Sequence, residues 1–490
     1  MLSRVSTFAI DGVEPRLVTV EVDIRPGLPA FTIVGLGDAA VRESRERVRA
    51  AIQNSGFEFP QQRITANLAP ASLRKAGPGF DAALALALLA ASGQMPPGFA
   101  AGVAVFGELS LGGDLRPSPG ALAVAEGARR HNIPRLIVPR ERGAEAALVD
   151  GLQIAAVDGL RDVVDAATGR RLPPPPRPEL HADGDVSELD LADVRGHALP
   201  LLALEVAAAG GHNLLLEGPP GTGKTMLARR LPSILPPLSR EQALEVTRIH
   251  SIAGLSHGGL IQSRPFRAPH HTISAAGLVG GGSQPRAGEA SLAHQGVLFL
   301  DELAEFHRPT LEALRQPLED GHVTIVRGQK ALVFPTRIML VAATNPCPCG
   351  YAGAGDGRCH CGEAELMRYR RRLSGPLLDR IDLMVNVQRP LEAELSGPPR
   401  TNSAQVRGRV LEARERAVAR EVLAPALEPG AKSAIRSAYD AGVLSPRGRD
   451  RVLRVARTIA DLESHGRVTE SDLLLALALR QRTAAEVMAQ

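Results

Sequence analysis

Gly218-Pro219-Pro220-Gly221-Thr222-Gly223-Lys224-Thr225 follows an apolar run at 213–216 and precedes another at 226–231. Strand, glycine-rich loop and helix in that order are the setting a phosphate-binding loop requires. Glycines let successive backbone N–H groups converge on phosphate oxygens, and a helix N-terminus adds a positive dipole. Lys224 is placed to reach the β and γ phosphates and Thr225 to ligate Mg²⁺. The lysines are Lys75, Lys224, Lys330 and Lys432 alone, so a chance match is rare, on the order of one in a hundred. These eight residues therefore read as an ATP-binding loop.

A triphosphate site also needs groups that hold the metal and activate water. In the segment 296–302 an apolar run at 297–300 ends in Asp301 and Glu302. A buried strand would deliver both carboxylates at its end, Asp301 toward Mg²⁺ and Glu302 toward the attacking water. An acidic pair closing a strand is often only a turn; the phosphate loop favours the functional reading. A third apolar run, 338–343, leads into Thr344 and Asn345. The Asn345 amide can orient the same water or touch the γ phosphate, although asparagine before proline is commonly a turn former.

The 490 residues suggest about three folding units, and 44% hydrophobic with 22% charged residues is ordinary globular composition. The net charge of +4 permits an anionic partner without demanding one. The longest apolar run, 82–92, is far short of the ~20 residues a membrane-spanning helix needs, so no membrane partner is expected and the cytoplasm is the expected location. Strand-like runs at 17–24, 30–34, 103–106 and 135–138 alternate with helical runs at 38–54, 81–92 and 121–131, giving an α/β region over 1–171. Residues 172–188 begin with a proline run and read as a stiff, exposed linker. The nucleotide core spans 189–389, and the helical periodicity of 390–490 gives a small helical domain.

All the cysteines fall between Cys347 and Cys361. Cys347, Cys349, Cys359 and Cys361 form two Cys-x-Cys pairs, enough for tetrahedral Zn²⁺ fixing a loop at 347–361, with reduced metal-free thiols as the alternative. Between 321 and 341 two strands turn at Arg327-Gly328-Gln329-Lys330, a hairpin with Arg327 and Lys330 near its tip. Such a tip could grip DNA phosphates, and 3% aromatic content argues for backbone contact over base stacking. An ordinary solvated hairpin is the alternative. A role for the adjacent His270 and His271 does not follow from sequence.

These elements, with the segments 266–282, 288–306, 314–321, 345–351 and 374–383, closely resemble the ComM/YifB family of magnesium-chelatase-like AAA+ ATPases, over nearly the whole chain. The resemblance implies an N-terminal Lon-protease-like (S5-like) α/β domain, a P-loop AAA+ α/β core and a C-terminal helical lid. It also implies a ring, a hexamer, that hydrolyses ATP with Mg²⁺ and acts on single-stranded or branched DNA as a branch-migration helicase in natural transformation and recombination. Arg380, in the string Leu378-Asp379-Arg380-Ile381-Asp382, matches the arginine finger offered to a neighbour's ATP; a surface ion pair with Asp382 is the plain alternative. Arg447 resembles the sensor 2 arginine. The Lon-type catalytic pair is missing: Gly79 stands where the serine nucleophile belongs, and Leu122 and Val124 at the lysine positions, which leaves no group for peptide hydrolysis. A magnesium-chelatase motor subunit or a protein-remodelling AAA+ ATPase remains the alternative function.

Overall fold

The computed structural model describes the chain except Met1, Leu36, Arg74, Pro97, His257, Ser374 and residues 182–188, 283–285, 328–329, 353–356, 421–425 and 481–490. The chain divides into two compact units. One comprises 1–182 with 240–262, the other 183–239 with 263–490.

The first unit is built on a seven-stranded mixed sheet. Its strands lie in the order Ala30–Val34, Arg63–Ala69, Glu14–Arg25, Leu2–Asp11, Val103–Val105, Arg135–Pro139, Gln153–Val157. Asp81–Ala91 is its central helix, and every residue of it is buried, as expected for a segment apolar all round. Its one charge, Asp81, is met by Arg47 at 2.8 Å and by the Ser44 hydroxyl. The expected helix at 38–54 is Ala39–Asn54, with Asp38 as N-cap accepting from the Val41 N–H. Sequence reading missed the strands Leu2–Asp11, Arg63–Ala69 and Gln153–Val157.

Two differences from the expected organisation concern the segment after the helix that bears the phosphate loop. The helix Arg240–Ile252 and the strand Gly259–Ile261, assigned above to the nucleotide core, fold with the first unit. The strand Glu179–His181, inside the expected linker, pairs in parallel with Gly259–Ile261. Within this unit the buried Glu145 carboxylate accepts from the Leu122 N–H at 2.9 Å and from the Ser251 hydroxyl, which anchors the returning helix.

The second unit holds a five-stranded parallel sheet in the order Phe266–Arg267, Val297–Leu300, Met339–Thr344, Leu214–Glu217, Leu383–Asn386. Val297–Leu300 and Met339–Thr344 are buried throughout, which is why they read as unbroken apolar runs with no alternation. Helices Ser403–Val418, Pro429–Asp440, Pro446–Leu462 and Glu470–Ala478 follow. Buried Val452, Val455, Ala456 and Ile459 give Pro446–Leu462 its apolar stripe, packed in one core with Val406, Val410 and Leu473.

Candidate functional site

Leu214–Glu217 lies between Met339–Thr344 and Leu383–Asn386, so the loop after it opens at the C-terminal edge of the sheet. Gly218 passes so close to its neighbour that a Cβ there would sit 2.2 Å from the Val387 carbonyl oxygen. Gly221 and Gly223 hold φ of 75° and 87°, a region that favours glycine. The helix Lys224–Ile234 starts at Gly223 with no side-chain cap, leaving its first N–H groups to an anion.

Lys224 is nearly buried. Its Nζ donates to the carbonyls of Gly218 at 2.6 Å and Pro219 at 2.8 Å, and to Asn345 Oδ1 at 3.2 Å. Burial pulls its pKa below that of an ordinary lysine, while the carboxylates of Asp301 and Glu217 oppose the shift. Thr222 closes the loop by donating its hydroxyl to the Pro219 carbonyl at 2.9 Å. Thr225 Oγ1 donates to Asp301 Oδ2 at 2.7 Å. A hydroxyl and a carboxylate this close are the hard oxygen donors that Mg²⁺ prefers, so the residues fit that ion. The structure thus brings Lys224, Thr225, Asp301 and Asn345 together from separate strand ends.

Glu302 adjoins them with φ 52° and ψ 48°, in the left-handed region that non-glycine residues seldom occupy. Its side chain is 57% exposed, and its Oε2 lies 3.2 Å from His271 Nδ1. The His271 ring stands 4.1 Å from that of His270 and meets Phe306 edge-on at 6.4 Å. Sequence reading found no role for His271. The contact follows from topology, because Phe266–Arg267 runs parallel to Val297–Leu300 and the residues after both strands reach the same edge. The two-residue strand before it, Phe266–Arg267, is too short to have signalled the contact in sequence.

Arg380 is also nearly buried. Nη1 donates to the Pro376 carbonyl at 2.6 Å, Nη2 pairs with Glu319, and Nε has no hydrogen-bond partner among the described residues. The alternative pairing with Asp382 is not formed. Asp382 instead takes Arg451 at 2.6 Å, Arg454 at 3.1 Å and the Asn213 N–H at 3.0 Å. Asn213 further donates to the Arg380 carbonyl and accepts from the Leu340 N–H, tying the base of the phosphate-loop strand to the arginine motif. Glu319 has its pKa lowered first by Arg380, with smaller help from Arg447 and Arg315. Arg447 is exposed, and its charge acts on the Glu319 carboxylate that Arg380 bonds.

The strands His322–Arg327 and Lys330–Pro335 form the expected antiparallel hairpin, with Arg327 opposite Lys330. The side chains of Arg327 and Lys330 and the tip 328–329 lie outside the described part. A second short pair, Gly280–Gly281 with Arg286–Ala287, comes near it, since a Cβ on Gly280 would meet Ile325 at 3.0 Å.

Cys347, Cys349, Cys359 and Cys361 are free thiols whose sulfurs all lie within 4.8 Å of one another. Cys349 is held down to about 6, first by the Tyr351 backbone N–H and next by the Cys347 thiol. For Cys361 the largest single influence, a backbone hydrogen bond at Cys349, lowers the pKa, but the Cys349 and Cys347 sulfurs and burial together outweigh it and push the thiol up to about 12. Like charges this close resist forming together.

A phosphate loop leaving an inner strand of a parallel sheet, with an acidic pair two strands away and an asparagine on the strand between, defines a P-loop protein with an AAA+ core. The family models sharpen this: "Magnesium chelatase, subunit ChlI" matches residues 190–395, "Subunit ChlI of Mg-chelatase" residues 20–142 and "Magnesium chelatase, subunit ChlI C-terminal" residues 400–480. The chain is 44% identical over 505 residues to the uncharacterized protein Rv2897c of Mycobacterium tuberculosis, covering 98% of this chain and 99% of that one. It is 43% identical over 494 residues to the uncharacterized protein YifB of Escherichia coli and 40% identical over 500 residues to the competence protein ComM of Haemophilus influenzae, in both cases covering 98% of this chain and 97% of the relative. The chain belongs to the ComM/YifB magnesium-chelatase-like family.

Proposed function

We infer that this chain is an ATP-hydrolysing ring motor acting on DNA, a branch-migration helicase serving natural transformation and recombination in the cytoplasm. The observation that carries the ATPase reading is the meeting of Lys224, Thr225, Asp301 and Asn345 around one uncapped helix N-terminus. The loop amides and Lys224 bind the phosphates, Thr225 and Asp301 hold Mg²⁺, and the ion when bound neutralises charge on the β and γ phosphates. Glu302 polarises the attacking water, Asn345 orients it, and His271 fixes the direction of the Glu302 carboxylate. Among the described residues Arg380 bonds Pro376 and Glu319 and makes no hydrogen bond to its own phosphate loop, which supports a role in the neighbouring subunit's site, and Arg447 acts on the same Glu319 carboxylate. An arginine supplied in trans stabilises transition-state charge and is worth about 10³ to 10⁵ in rate.

Kinship with a competence protein supports DNA as the substrate, and the hairpin ending in Arg327 and Lys330 is the element we assign to phosphate contact in the ring's pore. The first unit is read as a Lon-like module without protease chemistry. A Cβ on Gly79 would meet the Phe106 ring at 2.6 Å, so a serine has no room there, and Leu122 and Val124 are fully buried. The helices Ser403–Val418, Pro429–Asp440, Pro446–Leu462 and Glu470–Ala478 are read as the lid. The deciding experiment is a four-way-junction unwinding assay with ATP and with a non-hydrolysable analogue: ATP-dependent strand separation supports the motor, and none on any DNA structure rejects it. The family description favours one second reading, a chelatase motor. Hydrolysis indifferent to DNA but raised by porphyrin and chelatase partner subunits would select it.

A further inference from the structure

We propose that Cys347, Cys349, Cys359 and Cys361 hold one Zn²⁺ in a closed tetrahedral site, and that this ion braces one wall of the phosphate-loop cleft. The geometry of the sulfurs carries the first half. Zn–S bonds of ~2.3 Å in a tetrahedron put neighbouring sulfurs ~3.8 Å apart. The Cys347–Cys359 and Cys349–Cys359 separations are 3.9 and 3.7 Å, and Cys347–Cys349 is 3.2 Å. No pair is at the ~2.05 Å of a disulfide. Sulfurs within 4.8 Å of one another surround room for a single ion. The backbone is shaped around them: Ala352 N–H donates to Cys347 Sγ at 3.2 Å, and Gly350 N–H to the Cys347 carbonyl at 3.0 Å. These are also all the cysteines of a 490-residue chain. With four thiolates the ion has no open position, so its role is structural.

The second half rests on the nucleotide reading of the loop and on what the cysteine segment touches. Cys347 is fully buried two residues after Asn345, whose amide accepts from Lys224. Gly350, at φ 88°, packs on the phosphate loop so tightly that a Cβ would lie 2.6 Å from Pro220 Cδ and 3.9 Å from Asn345 Cγ. Tyr351 and Arg358 face Gly218 and Thr222 across one cleft, with the Arg358 guanidinium 4.4 Å from the Tyr351 ring centroid. Gly350, Tyr351 and Arg358, which lie between the two Cys-x-Cys pairs, thus line the cleft, and a metal joining the pairs fixes Pro220 and Asn345 in place.

The test uses the full chain purified without chelator. Elemental analysis is expected to give about one zinc per chain, with release of the ion as a mercurial titrates the thiols. Less than about one zinc per several chains, or iron in its place, overturns the site. Cobalt exchanged into the protein should show the visible absorption of a tetrahedral thiolate complex, and its absence counts equally against the site. Cys359→Ser and Cys361→Ser should lose zinc and weaken binding of a fluorescent ATP analogue by about tenfold. Because such variants can misfold, the same affinity is measured on wild-type protein before and after mercurial removal and zinc restoration, where reversible weakening is expected. An affinity unmoved by either route overturns the bracing role. Lys224→Ala should keep its zinc, so failure of nucleotide binding and failure of the metal site are read separately.

Discussion

Glu302 keeps its backbone at φ 52°, a placement that costs on the order of 1–2 kcal/mol for a residue with a Cβ. That strain turns the carboxylate back over the sheet edge, where His271 meets it. Glu302→Gln is expected to bind ATP as the parent does and to slow hydrolysis by at least about a hundredfold; weakened binding of similar size would move Glu302 out of the chemistry. His271→Ala should lower kcat about tenfold with KM unchanged, whereas a rise in KM alone would make His271 a binding residue. A second histidine gives a pH dependence. His212 is buried, its Nε2 is 2.8 Å from Thr458 Oγ1, and burial depresses its pKa to about 4. An imidazole in the unfolded chain titrates near 6.5, so below that pH the unfolded chain takes up a proton that the folded one refuses. The stability is intact above about pH 6.5 and is lost as pH falls toward 4, by about 2 kcal/mol at pH 5. Denaturant titrations at pH 7.5 and pH 5 should show this loss, reduced in His212→Gln; an equal loss in the variant would assign it to other groups. The residues of the phosphate loop were legible in sequence because each has a fixed chemical task at a fixed spacing. His271 and Asn213 were not, because their partners lie far along the chain and only the sheet order brings them together.

The strands of the parallel sheet announced themselves where both faces are buried, as in Val297–Leu300 and Met339–Thr344. Phe266–Arg267 is too short to leave a periodic signal, and the polar start of Leu2–Asp11 masks its pairing with Glu14–Arg25. Within the expected linker, Glu179–His181 pairs with Gly259–Ile261: proline favours extended backbone, and extended backbone beside an unpaired strand can join a sheet. The hairpin of His322–Arg327 and Lys330–Pro335 was readable from its turn and its alternation. If it holds DNA through phosphates, replacing Arg327 and Lys330 by alanine should make the affinity for single-stranded DNA less salt-dependent, lowering the logarithmic slope by roughly 1.4. Titrations at several salt concentrations measure this, and an unchanged slope would remove the hairpin from the interface.

A single copy of the chain supplies the phosphate loop and the carboxylates, but its Arg380 is turned to Glu319. Turnover per chain should therefore rise with protein concentration. Lys224→Ala and Arg380→Ala, each inactive alone, should recover activity when mixed, because about a quarter of the interfaces would pair an intact loop with an intact arginine. No recovery on mixing, with both variants assembling normally, would end the shared-site account. The return of residues 240–262 to the first unit has a consequence for how the protein is made. Synthesis runs from the N-terminus, and domains tend to mature as they emerge. Here the first unit stays unfinished until residue 262 has left the ribosome, and by then the phosphate loop is already outside, still lacking the strands Val297–Leu300 and Met339–Thr344. The nascent chain thus carries a half-made nucleotide sheet while its predecessor closes, and a gene cut at the proline run would yield a fragment deprived of its last helix and strand.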